Sequence, residues 1–79
     1  SFASTDDKRG RHWTINRDGG CRGLESWWQR RQAQFRGKPL MAECLVIRQP
    51  RDGGHDVLTI THAQAYDLIK VLCEAIEHP

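Results

Sequence analysis

Seventy-nine residues, 38% hydrophobic and 28% charged with a formal net charge of +2, suit one small globular domain. A chain of this length buries only about 60–65% of its unfolded surface, which leaves little scaffold for a deep enzyme cleft. No apolar run approaches the roughly 20 residues that span a bilayer, and no secretory leader pattern is visible.

Residues 1–10 are small, polar and charged, with Phe2 alone apolar, and read as a flexible tail ahead of a single domain over 11–79. From Arg11 to Asn16 the chain alternates, with Trp13 and Ile15 on one side and His12 and Thr14 on the other, which predicts a short half-buried strand. Asp18-Gly19-Gly20 then turns the chain. Ser26 and Gln29 have the spacing of a capping box, good helix formers follow, and Gly37 and Pro39 supply stop signals. These signals predict a helix over 27–36 with Trp27, Trp28 and Phe35 as its apolar side.

Leu40 to Arg48 is nearly continuous apolar sequence and predicts a strand covered on most of both sides. Residues 49–54, with Pro50 and an Asp-Gly pair, predict a turn, and Val57 to Ile60 returns antiparallel. The last helix has the strongest pattern. Ala65, Leu68, Ile69, Leu72 and Ile76 recur on one side, and Thr61 with Gln64 forms a capping box. The expected fold is therefore α+β, in the order β-α-β-β-α, with an antiparallel sheet covered by the C-terminal helix. The order ββββα is the runner-up.

Cys21, Cys44 and Cys73 are odd in number and lack paired spacing, so a reducing cytoplasm is the simplest expectation. Cys44 and Cys73 read as small buried hydrophobes. The four His and three Cys are too scattered for a structural zinc site, and no metal or other cofactor is expected. No nucleophile–base pair or carboxylate pair in an apolar setting stands out, so no enzymatic activity is expected.

Charge is lopsided. Residues 8–42 hold nine Lys and Arg against Asp18 and Glu25, whereas residues 43–79 hold three cations against six acids. An anionic partner for the basic half follows from this, or a solvated surface whose charges intermix on folding. Arg neutralises phosphates, and Trp stacks on unpaired bases. The expected function is a small non-enzymatic nucleic-acid-binding domain with a transcription-related role. Its contacts are Arg11, Arg17, Arg22, Trp28, Arg30, Arg31, Arg36 and Lys38, with Lys8 and Arg9 in a flexible arm. Single-stranded DNA or RNA is expected over duplex. The alternative is a protein-interaction module, a small inhibitor or adaptor of phage or mobile-element type, meeting its partner through Asp67, Glu74 and Glu77 or an exposed Trp28. An over-apolar helix edge at Tyr66, Val71 and Cys73 points to a homodimer.

Phe35-Arg-Gly-Lys-Pro-Leu-Met, Glu43-Cys-Leu-Val-Ile-Arg, a Pro/Gly turn and Leu58-Thr-Ile-Thr-x-x-Gln-Ala-Tyr with its helix form a further pattern. Over about forty-five residues it resembles the C-terminal half of the transcriptional positive-cofactor-four family, small coactivators that bind single-stranded DNA. The resemblance implies a curved antiparallel sheet, dimerisation partly through the last helix, and Arg36 and Lys38 near the nucleic acid. It also implies a strand where the capping signals place the helix over 27–36.

Overall fold

The computed structural model describes residues 1–78, with the side chains of residues 33–35 left aside. Five strands run in chain order: β1 (Phe2–Asp7), β2 (Gly10–Ile15), β3 (Leu24–Phe35), β4 (Lys38–Arg51) and β5 (Gly54–Ile60). The helix α1 (His62–Glu77) follows. Each strand pairs antiparallel with the next, so the sheet is a five-stranded meander. The α+β class and the C-terminal helix are as expected, but the order is βββββα.

The expected helix over 27–36 is instead β3. Its capping box was a local signal of about 1 kcal/mol. A helix there would have offered a short apolar side to pack. As a strand, the segment gains ladder partners on two sides: Leu24–Trp27 pair with β2, and Glu25–Phe35 pair with β4. Trp27 and Trp28 also favour the pleated state. Gly37, expected as a helix stop, closes the β3–β4 hairpin with φ +76° beside Arg36 at φ +53°. Two successive positive φ values are the mark of the tight hairpin turn whose twist matches its strands. Phe35, expected on the apolar side of that helix, has its side chain outside the described set.

Residues 2–7, expected within a flexible tail, form the edge strand β1, held in register from Phe2 opposite Ile15 to Asp7 opposite Gly10. Pro50, expected in a turn, lies within β4 opposite His55, and the chain reverses after Arg51 at Asp52 and Gly53 instead. Gly23 brings the start of β3 against the end of β2. A Cβ there would lie 2.6 Å from the Ile15 carbonyl oxygen, so only glycine fits without a backbone shift.

Pairing register sorts the side chains into two faces. One face carries Phe2, Trp13, Ile15, Leu24, Trp28, Leu45, Ile47, Leu58 and Ile60. The helix lies beside this face, since Leu58 and Ile60 line a shallow hollow with Gln64, Leu68 and Val71. The other face carries His12, Glu25, Trp27, Gln29, Arg31, Lys38, Cys44, Val46 and Arg48.

Burial is sparse. Among the described residues the buried hydrophobic ones are Cys44, Val46 and Ile60. The expectation that β4 is covered on both sides fails at its start, where Leu40 and Met41 are exposed. No residue of α1 is buried, and Cys73, expected in the core, is exposed. The helix is capped as expected: the Thr61 hydroxyl accepts from the Gln64 amide at 3.1 Å, and Gln64 Oε1 accepts from the Thr61 amide at 3.0 Å. No helix of the described residues is long and apolar enough to cross a membrane.

Candidate nucleic-acid interface

β3 and β4 are far longer than their neighbours. β2 reaches β3 only as far as Trp27, and β5 reaches β4 only from Leu45. Residues 29–35 and 38–44 therefore pair with each other alone. At about 3.3 Å per residue this two-stranded ribbon is roughly 23 Å long. It carries Arg30, Arg31, Arg36 and Lys38 against the single carboxylate of Glu43. All five are exposed. Among the described residues Arg30, Arg31 and Lys38 enter no ion pair.

Alternation divides the ribbon's cations. Arg31 and Lys38 lie on the Trp27 face, Arg30 lies on the opposite face, and Arg36 sits in the turn at the tip. A charged pair adjacent in sequence thus presents one guanidinium to each side of the ribbon. Lys8 and Arg9, expected in a flexible arm, occupy the turn between β1 and β2, and that turn lies at the root of the ribbon.

The remaining expected contacts are dispersed. Arg11 binds Asp6 across β1 and β2 through two bonds, Nε to Oδ1 at 3.0 Å and Nη2 to Oδ2 at 2.8 Å. The hydrogen bonds of this pair hold the Asp6 carboxyl below its ordinary value and raise the Arg11 guanidinium. Arg22 reaches Asp52 at 2.7 Å. It stands with Arg17 at the end of the sheet away from the ribbon, because β3 begins there beside Ile15. Trp28 stacks on His62 with ring centroids 4.0 Å apart and 17° between planes, so it ties the ribbon's root to the first turn of α1.

Sequence reasoning missed a second group on the Trp27 face. His12 stacks with Trp27 at 5.7 Å and 23°, and the Arg48 guanidinium lies 5.8 Å from the centre of the Trp27 ring. Trp27 Nε1 donates to Gln29 Oε1 at 2.9 Å, and Arg48 Nη2 donates to Glu25 Oε2 at 2.6 Å. With Arg9 and Trp28 these residues line a hollow of about 490 Å³ at the foot of the ribbon. The alternation of Glu25, Trp27, Gln29 and Arg31 was the available signal, hidden by reading the segment as a helix.

Comparison with protein-family models, curated proteins and solved structures finds no match to this chain.

Proposed function

We propose that this chain is a non-enzymatic nucleic-acid-binding domain that grips phosphates with the β3–β4 ribbon and acts as a homodimer in a transcription-related role. The observation that carries the reading is the ribbon itself: four cations against one carboxylate on a two-stranded projection. Cations on such a projection replace condensed counterions along a phosphate backbone. Lys8 and Arg9 extend the basic surface at its root.

Open shape supports the dimer. The accessible surface is 6796 Å² for 9.1 kDa. A compact monomer of that mass exposes about 4,900 Å². The excess, about 1,900 Å², exceeds the roughly 800 Å² per partner of a standard interface, although the projecting ribbon accounts for part of it. The exposed apolar residues Tyr66, Ile69, Leu72 and Ile76 put part of that excess on the side of α1 turned away from Leu58 and Ile60. A second copy covering this side would supply the burial that one chain lacks.

A protein-interaction module is the second reading, favoured by the exposed acids Asp67, Glu74 and Glu77 on the same helix. A tryptophan fluorescence titration with single- and double-stranded oligonucleotides at two salt concentrations tests the first reading. Quenching that weakens with salt and is stronger for single strands is expected. No change at micromolar protein in low salt would overturn it and leave the interaction module.

A further inference from the structure

We propose that the hollow between His12, Trp27, Gln29 and Arg48 takes one unpaired nucleobase from a strand whose phosphates lie along the ribbon. This rests on the nucleic-acid reading above and adds a base subsite to it. The hollow, about 490 Å³, falls within the range of about 300–1,000 Å³ typical of small-ligand sites. It shares a face with Arg31 and Lys38, so a strand following those cations passes over it.

The chemistry of the lining selects a neutral planar group. Glu25 neutralises Arg48, and the Asp7 carboxylate stands 3.5 Å from His12 Nε2. The phosphate-binding charge therefore sits out on the ribbon, and the hollow is nearly balanced. Its floor holds three planar groups: the His12 ring and the Trp27 indole, stacked at 23°, and the Arg48 guanidinium, 5.8 Å from the indole centre. The Gln29 bond to the indole nitrogen fixes the ring, so little ordering is left for binding to impose. Nε2 of His12 and Nε of Arg48 are covered and make no hydrogen bond among the described residues. Such atoms are costly to leave unpaired. A base brings a planar face that stacks on these groups at the open side of the hollow.

The test compares two single-stranded probes of equal length at one salt concentration. One carries a fluorescent purine analogue among ordinary bases, and the other is a fully abasic sugar–phosphate polymer. Base-bearing strands are expected to bind about tenfold more tightly, in line with one stacked base, with the analogue quenched on binding. Trp27→Leu removes the platform. His12→Ala removes one ring of a partly exposed side chain and keeps the test independent of whether the Trp27 variant folds. Each is expected to bring the ratio of affinities towards one while leaving the salt slope unchanged. Equal binding of both probes by the unaltered protein would overturn the base subsite and leave the phosphate reading standing. A ratio that survives both substitutions would also overturn it, because the base would then stack elsewhere. No binding of either probe would overturn both readings.

Discussion

Trp27 and Trp28 are neighbours in sequence and leave β3 on opposite faces: Trp27 stacks with His12, and Trp28 stacks on His62 with centroids 4.0 Å apart. The pair joins both sides of the sheet at the point where the ribbon emerges. Trp28 links that point to α1, and Trp27 belongs to the basic face. One strand residue thus serves the fold while its neighbour faces the proposed ligand.

Self-association should be measurable. Sedimentation at rising concentration is expected to show a monomer–dimer equilibrium or a stable dimer. Ile69→Glu with Leu72→Glu is expected to give monomer, since two charges would replace exposed apolar side chains on α1. A monomer at every concentration of the unaltered chain would remove the dimer.

Gly23→Ala is expected to destabilise the fold by about 1–3 kcal/mol, because the new methyl meets the Ile15 carbonyl oxygen, a backbone atom that cannot swing away. Chemical denaturation measures this, and an unchanged midpoint would contradict the close approach of β2 and β3. Thr61→Ala is expected to cost about 1 kcal/mol by leaving the Gln64 amide unpaired at the start of α1.

The Asp6–Arg11 pair has a definite sign with pH. Its hydrogen bonds lower the Asp6 pKa in the folded state, so its contribution to stability is present above the ordinary value of 3.8 and is lost as pH falls through the lowered value. Both side chains are exposed, so the effect on stability is small and screened by salt. A carboxyl NMR titration is expected to give a midpoint for Asp6 below 3.8, and Arg11→Ala should return it to that value.

What the residues disclosed about the fold depended on how far each signal reached along the chain. The last helix was legible to its cap, because Thr61 and Gln64 act on each other locally. The strand at Trp13 and Ile15 was legible from alternation. β3 was not, because a capping box and helix-forming Gln and Arg residues describe a short segment in isolation. Its strand state comes from ladders with β2 and β4 that sequence spacing does not display. The site divided along the same line. Arg30, Arg31, Arg36 and Lys38 come together on the ribbon because they are close in sequence. Arg11 and Arg22 are paired with acids that only folding brings near, Asp6 across a hairpin and Asp52 from the far turn. His12 and Arg48 reach Trp27 from two other strands, so no reading of residues 24–36 alone would find them.

The most direct test of phosphate binding by the ribbon is the salt dependence of single-strand affinity in two variants. One changes Arg30, Arg31 and Lys38 together to Ala. The other changes Arg17 and Arg22 at the far end of the sheet. Each phosphate contact contributes about 0.7 to the slope of log affinity against log salt for single strands, so losing three contacts should lower the slope by about 2. The predicted result is that drop, with weaker binding at low salt, in the ribbon variant alone. A ribbon variant that keeps the affinity and slope of the unaltered protein would contradict it.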